Sequence, residues 1–196
     1  MSRFMQSPSL LTDIIRACWI LFSVIWLLAA VSTKRSIYRE SGAQRLRYLI
    51  LLVLAFLLLT RGRRLPYPFD VRIISATETV QWMAGVLCIA GLAFCVWARA
   101  TLGRNWSGTI TLKEGHELIE RGPYRLVRHP IYTGLLAMFL ATAINIGHLG
   151  GIVAVLLAFA SFWIKLGEEE KLMLQQFPDQ YRSYQQRVKC IIPFVL

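Results

Sequence analysis

The 196-residue sequence has few acidic residues, because only 11 Asp and Glu accompany 22 Lys and Arg, and the formal net charge is +11. Charged residues of both signs make up only 17% of the chain, whereas 56% is hydrophobic and the mean hydropathy is +0.50. These values exclude an ordinary soluble domain and indicate a multi-pass membrane protein with basic loops. The cations are spread among the loops, so they reflect membrane topology and we predict no nucleic-acid partner.

The sequence also lacks several signatures of cofactor and metal chemistry. It contains no glycine-rich phosphate loop, Rossmann fingerprint or internal repeat, so any nucleotide-like cofactor has to be held outside a strand–turn–helix unit. Three histidines lie on different segments, and three of the four cysteines, Cys18, Cys88 and Cys95, fall within apolar runs. No cysteine pair has metal-ligand spacing, so we predict no metal site and interpret these cysteines as small buried residues.

Long apolar runs dominate the chain. They are Ile14–Ser32, Leu46–Thr60, Val80–Ala98, Ile131–Gly147 and Leu149–Leu166. A membrane-spanning helix needs about 20 residues and about 17 suffice, so the second run qualifies less easily than the other four and needs Arg47 and Arg61 to snorkel. We predict an all-α integral membrane protein of about five transmembrane helices, ending in a helical hairpin and a cytoplasmic amphipathic helical tail. Residues 1–100 form its N-terminal transmembrane part and residues 101–196 its cofactor and catalytic part.

The last two runs are separated only by a short glycine-containing connection at Gly147 and His148. This spacing predicts an antiparallel hairpin with a tight, uncharged tip, which brings the start of the fourth run and the end of the fifth run to one membrane face. Many cations lie in the loops and tail on that face, so the positive-inside rule makes it cytoplasmic. The basic loop of residues 61–72 disagrees with the rule, because five spans place it outside.

Two polar clusters flank this hairpin: Arg128 and His129 before the fourth run, and Glu168–Glu170 after the fifth. Either cluster alone fits interfacial anchoring or a solvated helix face, and successive helical residues lie about 100° apart, so at most two of the glutamates face one pocket. Together the clusters favour a zwitterionic cofactor, because Pro130 suits the first turn of a helix whose N–H groups and positive dipole end point at an anion. S-adenosylmethionine is such a molecule, and methyl displacement from its sulfur depends mainly on positioning and desolvation.

The tail carries apolar and aromatic residues at helical spacing, namely Met173, Phe177, Tyr181, Tyr184 and Val188. Pro178 divides this stripe, because proline favours the first turn of a new helix. We predict that the stripe packs on the helix bundle or on the membrane interface.

Two segments carry a family resemblance. The sequence Arg121-Gly-Pro-Tyr-Arg-Leu-Val-Arg-His-Pro-Ile-Tyr-Thr-Gly134, followed by Glu169-Glu170-Lys-Leu-Met-Leu-Gln-Gln-Phe177, resembles the signature of the isoprenylcysteine carboxyl methyltransferase family and its phospholipid methyltransferase relatives. Leu102-Gly-Arg-Asn-Trp-Ser107 resembles the segment that precedes this signature. The first three runs carry no comparable motif. Pro178 departs from the family, which often has Gly there, and this affects the substrate side of the site.

The resemblance implies an integral membrane methyltransferase that binds S-adenosylmethionine in a cytoplasmic pocket at the end of the final hairpin. It implies catalytic roles for Arg128, which would align a substrate carboxylate, and for Glu170, which would hold cationic or hydroxyl groups of the cofactor. By matching motif positions, it implies cofactor contacts from His129, Tyr132, Gly134, Glu169 and Glu170.

The acceptor implied by the resemblance is the carboxyl group of a prenylated cysteine, or a similar lipophilic carboxylate, entering from the bilayer. A carboxylate needs no general base because it is ionised at neutral pH, whereas a phospholipid amine has to lose a proton, to Glu169 or Tyr132. Both acceptors stay open. A membrane sterol-type reductase and a non-enzymatic lipid-binding scaffold are further alternatives. The acidic pair and the lack of a basic pocket for a 2′-phosphate weigh against the first, and the pairing of the two motifs weighs against the second.

Overall fold

The structure is a computed structural model that describes residues 10–30, 36–61, 64–106, 111–113 and 117–192. These residues form six α-helices and two short strands: α1 Leu10–Ala30, β1 Ser36–Arg39, α2 Gly42–Arg61, α3 Glu78–Leu102, β2 Thr111–Lys113, α4 Pro130–Ile146, α5 Leu149–Gln176 and α6 Pro178–Arg187. Strands β1 and β2 pair antiparallel. The predicted helical membrane architecture is confirmed, and the small two-stranded sheet is an addition that the sequence did not predict.

Four helices, α1, α2, α3 and α5, are long and apolar enough to cross a membrane. Helix α2 has 20 residues because it begins at Gly42, so the second apolar run is extended by a polar first turn. Helix α4 has only 17 residues and is therefore about 25 Å long, less than the hydrocarbon core of about 30 Å. Helix α2 thus reaches the usual length for a span, whereas α4 has about the shortest length that suffices.

Helix α4 lies at the centre of the bundle, packed along α3 and against α5, while α2 packs along α5 and α1 against α3. Two glycines allow α3 and α4 to approach closely. A Cβ atom added to Gly134 would lie 2.6 Å from the Gly91 carbonyl oxygen, and one added to Gly91 would lie 2.7 Å from the Gly134 carbonyl oxygen. Small residues at such a crossing let backbones come together, as is common in membrane helix pairs.

The α4–α5 hairpin has the tight tip that the sequence predicts. Gly147 ends α4 in the left-handed conformation, with φ of 73°, and His148 precedes α5. The loop between α2 and α3 lies against this tip, because the Ile73 N–H donates to the Gly147 carbonyl oxygen at 2.8 Å and the Leu149 N–H donates to the Val71 carbonyl oxygen at 2.9 Å. This part of the basic loop therefore lies at the end of the bundle opposite the two polar clusters, as a five-helix topology predicts.

The C-terminal stripe packs on the end of the bundle that carries the polar clusters. Phe177 ends α5, and Pro178 occupies the first turn of α6, as predicted. The side chains of Tyr181, Tyr184 and Val188 are buried and pack against Leu118, Met173, Leu174 and Phe177. Helix α6 is thereby held across the ends of α4 and α5, where it can contribute side chains to a site between them.

Candidate active site

The start of α4 and the end of α5 bring the two polar clusters into direct contact. Arg128 Nε and Nη2 both lie 2.8 Å from Glu170 Oε1, and the two side chains are only 11% and 15% exposed. His129 Nε2 lies 3.2 Å from the same oxygen, and Cys190 Sγ donates to it at 3.6 Å. Gln185 Nε2 donates to Glu170 Oε2 at 2.8 Å. Both oxygens of Glu170 are therefore fully engaged by the protein.

The segment after α6 holds Arg128 from its other side. The Arg128 N–H donates to the Lys189 carbonyl oxygen at 2.8 Å, and its guanidinium donates to the Val188 carbonyl oxygen. Burial alone would lower the pKa of Arg128, but the hydrogen bond and charge of Glu170 outweigh it and raise that pKa above its usual value. Burial and the Glu170 charge raise the pKa of Cys190 to about 12, so Cys190 remains a thiol at neutral pH.

His129, Glu170 and Cys190 place possible metal-ligating atoms within 4.8 Å of one another. The Glu170 oxygen that a metal ion would need is the one that accepts both contacts from Arg128. A cation there would compete with a buried guanidinium and would require the Cys190 thiol to lose its proton. The geometry therefore fits an ion-pair cluster better than a metal site.

Glu169 lies in a looser environment than its neighbour. Tyr132 Oη donates to Glu169 Oε1 at 2.7 Å, while Lys165 Nζ lies 3.8 Å from the same oxygen and His129 Nδ1 lies 3.7 Å from Oε2. The Tyr132 ring stacks between those of His129 and Phe162, with centroid distances of 5.6 and 5.1 Å. Among these contacts, the carboxylate of Glu169 has one short hydrogen bond, which comes from Tyr132. The ring of that tyrosine is held in turn by the rings of His129 and Phe162.

A cavity of about 360 Å³ opens beside this second cluster. Its volume falls within the range of about 300–1,000 Å³ that is typical of ligand pockets. The charged lining residues include Arg128, His129, Lys165 and Glu169, which form what we call the charged mouth. The apolar floor, as we call it, is formed by Trp26, Leu52, Leu135 and Phe162. The cavity therefore has a polar surface and an apolar surface. These two surfaces can bind two parts of one ligand or two different ligands.

The wall of the cavity near the end of α3 is fixed by a buried cation. Arg99 Nη2 donates to the Ala29 carbonyl oxygen at 2.7 Å, which links the end of α1 to α3. The same guanidinium lies 4.5 Å from the ring centre of Trp106, and the Trp106 ring meets that of Trp26 edge-on. Both tryptophans line the cavity. The contacts with Arg99 and Trp26 thus fix the position of the Trp106 ring in the cavity wall.

The structure places three of the predicted site features away from the cavity described above or among protein partners. Gly134 does not line the cavity described above but faces α3, where an added Cβ atom would lie 2.5 Å from Cys95 Sγ, so its absent side chain serves helix packing. Glu170 lines a second cleft, beside Gln185, and not the cavity described above. At the predicted anion site at the start of α4, two N–H groups already have protein partners, because the Tyr132 N–H donates to the His129 carbonyl oxygen and the His129 N–H donates to the Cys190 carbonyl oxygen, both at 3.0 Å.

Three further residues belong to the site although the sequence analysis did not single them out. Asn105 lines the cavity, and its side-chain oxygen is buried without a hydrogen-bond partner in the part of the chain that the structure describes. Asn105 lies in the Leu102–Ser107 segment that resembles the family, and this resemblance could have identified it from the sequence. Lys165 lines the cavity one helical turn before Glu169, so helical spacing was its signal. Gln185 has no distinguishing pattern in the sequence.

Comparison with known proteins gives matches to methyltransferases. Residues 79–180, more than half of the chain, match the phospholipid methyltransferase family. The probable protein-S-isoprenylcysteine O-methyltransferase of Oryza sativa subsp. indica is 32% identical over 119 residues, which cover 59% of this chain and 62% of the rice protein. Methanethiol S-methyltransferase 1 of Bradyrhizobium diazoefficiens is 38% identical over 74 residues, which cover 36% of this chain and 24% of that protein. The chain thus matches less than two thirds of the length of either relative.

The fold has a counterpart among solved structures. The eukaryotic intramembrane Ras methyltransferase, an isoprenylcysteine carboxyl methyltransferase, aligns with a TM-score of 0.68 and 23% identity. The alignment covers 98% of this chain and 70% of that chain. This likeness supports the predicted membrane fold over almost the whole chain.

Proposed function

The chain belongs to the phospholipid methyltransferase family, and from that premise we propose that it transfers the methyl group of S-adenosylmethionine to the carboxylate of a lipophilic acceptor, such as a prenylated cysteine. The observation that carries the proposal is a single cavity with a charged mouth at Arg128, His129 and Glu169 and an apolar floor at Leu52 and Phe162. A zwitterionic methyl donor needs charged partners, and an acceptor with a hydrocarbon chain needs an apolar surface. This cavity provides both.

The residues of the cavity fit S-adenosylmethionine. Glu169 offers a carboxylate to a cationic group, and the ring faces of Tyr124 and Trp106 are suited to a cation or to a planar base. The buried side-chain oxygen of Asn105, which has no hydrogen-bond partner among the described residues, is an acceptor that a donor N–H would satisfy. When bound, S-adenosylmethionine supplies a methyl group activated by its sulfonium sulfur.

The remaining contributions come from the side chains of this protein. Arg128 and Glu170 bind each other and thereby hold the start of α4 against the end of α5, which orients His129 and Tyr132 towards the cavity. In this proposal the pair acts mainly by positioning, and the charge of Arg128 adds to the field at the mouth. A carboxylate acceptor is already ionised at neutral pH, so no general base is needed. The apolar floor excludes water and strengthens the electrostatic interactions of the site.

A phospholipid amine is the second candidate acceptor, and one observation favours it. Glu169 lines the cavity and shares a hydrogen bond of 2.7 Å with Tyr132, so this pair is available to accept a proton from an ammonium group. Amine methylation requires that proton to leave before the nitrogen can attack. The relatives described above are methyltransferases, which favours either acceptor over the sterol-type reductase or the lipid-binding scaffold.

The proposal includes the membrane setting of the site. Trp26 of α1 and Leu52 of α2 reach the cavity from membrane helices, which supports entry of the acceptor from the bilayer. Arg121, Arg125 and Arg182 lie in the segments at the same end of the bundle as the cavity. By the positive-inside rule we assign that end to the cytoplasm.

Methyl transfer from radiolabelled S-adenosylmethionine tests the proposal. The purified protein in lipid is given a farnesylated cysteine analogue and a total lipid extract as parallel acceptors, with Glu170→Gln as the inactive control. Label in the cysteine analogue supports carboxyl methylation, and label in lipid alone supports the amine acceptor. If neither acceptor is labelled and calorimetry detects no cofactor binding, the methyltransferase assignment is wrong.

A further inference from the structure

Lys165 lies at the boundary between the charged mouth and the apolar floor of the cavity. It precedes Glu169 by one turn of α5, which places it about 6 Å closer to the membrane interior. Its side chain is 13% exposed, and Nζ lies 5.5 Å from the ring centre of Tyr48 and 5.6 Å from that of Tyr132. Phe162, three residues earlier on the same helix, already belongs to the apolar floor. The ammonium group is therefore where the polar end of a lipid would meet its hydrocarbon part.

Arg128 also lines the cavity, but it is less suited to bind an acceptor. Its Nε and Nη2 both lie 2.8 Å from Glu170, and its guanidinium also donates to the Val188 carbonyl oxygen. Turning this group towards a substrate would leave the buried Glu170 carboxylate without its main partner, which is strongly unfavourable.

The contact between Lys165 and Glu169 is of a different kind. Its distance of 3.8 Å is an ion-pair distance beyond hydrogen-bond range, and Glu169 keeps the Tyr132 hydroxyl at 2.7 Å. Glu169 therefore retains a hydrogen-bond donor when the Lys165 ammonium turns towards a second anion. A lysine ammonium is a compact charge on a flexible stem, so it can follow a carboxylate without a fixed bidentate geometry.

We infer that Lys165 binds the anionic end of the acceptor and makes the site selective for a carboxylate over a neutral or cationic group, an inference that rests on the proposed function. The aromatic rings of Tyr48 and Tyr132 shield this contact from water, which strengthens it. The hydrocarbon chain of the acceptor then lies towards Leu52 and Phe162. An ammonium acceptor would meet a like charge at this point.

The test compares two ligands of identical shape and different charge, namely N-acetyl-S-farnesylcysteine and its carboxamide. The acid is assayed as a substrate through its KM, and the carboxamide as a competitive inhibitor through its Ki. The variants are Lys165→Met and Lys165→Gln, which remove the charge, and Lys165→Arg, which keeps it. Lys171→Met is the matched control on the same helix, because Lys171 is 69% exposed and pairs with Glu168. Calorimetric binding of S-adenosylmethionine verifies the folded state of each variant.

We expect the two neutral variants to raise the KM for the acid about tenfold to a hundredfold, as for loss of a charged hydrogen bond, while the Ki of the carboxamide is unchanged. Lys165→Arg restores most of the affinity for the acid, and Lys171→Met changes neither constant. An unchanged KM for the acid in Lys165→Met, or a parallel rise in the Ki of the carboxamide, overturns the inference while the proposed function stands. Methyl transfer by the unaltered protein to lipid amines alone overturns the proposed acceptor and this inference together.

Discussion

Glu169 and Glu170 are neighbours in the chain, yet they lie in two unlike regions of the site. Glu170 is held by Arg128, His129, Gln185 and Cys190, and it lines the second cleft. Glu169 lines the main cavity with one hydrogen bond of 2.7 Å and two longer ion-pair distances. Successive residues of a helix point in directions about 100° apart. Two adjacent glutamates can therefore have different roles, and here Glu170 contacts protein groups while Glu169 lines the cavity where we propose that the ligand binds.

The largest effect is expected from removing the enclosed carboxylate. Glu170→Ala leaves the Arg128 guanidinium buried without its partner, which costs about 3–5 kcal/mol of unfolding free energy and abolishes turnover. Unfolding in mild detergent measures the first quantity and the methyl-transfer assay the second. Glu168→Ala is the matched control, because its pairing with the exposed Lys171 is worth about 1 kcal/mol or less. Equal destabilisation by both variants would contradict the division proposed for the two regions.

The second largest effect is expected at Glu169, where we predict a loss of cofactor affinity and not of stability. Glu169→Gln removes the charge that faces the cavity but keeps a side chain of the same shape. We expect the Kd for S-adenosylmethionine to rise about tenfold to a hundredfold, with little change in stability. Calorimetry gives the Kd, and a thermal melt without ligand gives the stability. A variant that melts much earlier and binds normally would show that Glu169, too, is a structural residue.

Gln185→Leu tests whether the second oxygen of Glu170 needs its donor from α6. Loss of the 2.8 Å hydrogen bond to a charged acceptor is expected to lower the unfolding free energy by about 1.5–3 kcal/mol. Gln186→Leu is the control, because Gln186 is exposed on the same helix. The two variants have the same amino-acid composition. Equal stability of both would show that the hydrogen bond from Gln185 to Glu170 does not stabilise the protein.

The smallest effect is expected from Tyr132→Phe, which keeps the ring stacked between His129 and Phe162 and removes only the hydroxyl bonded to Glu169. A neutral donor of this kind contributes about 0.5–1.5 kcal/mol, so cofactor affinity should fall about twofold to tenfold. Equilibrium binding measures the change. A complete loss of methyl transfer with normal binding would instead assign the hydroxyl to the chemical step, and would favour the amine acceptor.

The sequence predicted those parts of the fold that depend on local chemistry. Gly147 at the hairpin tip and Pro178 at the start of α6 are both where the pattern placed them, because turn and helix-start preferences act over a few residues. The residues of the stripe, among them Tyr184 and Val188, pack in one buried cluster. The hairpin then determines that the Arg128 and Glu170 segments meet.

The remaining features depend on how helices are rotated against one another, which the sequence alone does not specify. Gly134 matches a motif position, but only the packing of α3 on α4 shows that it faces Cys95 rather than the cavity. The roles of Asn105 and Gln185 arise from contacts between segments far apart in the chain. Helix α2 is longer than its apolar run because its first turn is polar, so a pattern of apolar residues underestimates it.

The carbonyl groups that follow α6 have a consequence for the order in which the protein matures. Residues 188–190 accept hydrogen bonds from the backbone or side chain of Arg128 and His129, and Thr133 Oγ1 donates to the Ile191 carbonyl oxygen at 2.6 Å. This segment is synthesised after every helix of the bundle, so its contacts with Arg128 and His129 cannot form until the rest of the site has been made. Under the proposed function, we therefore expect a chain that ends before Val188 to keep its membrane helices and to lose methyl transfer.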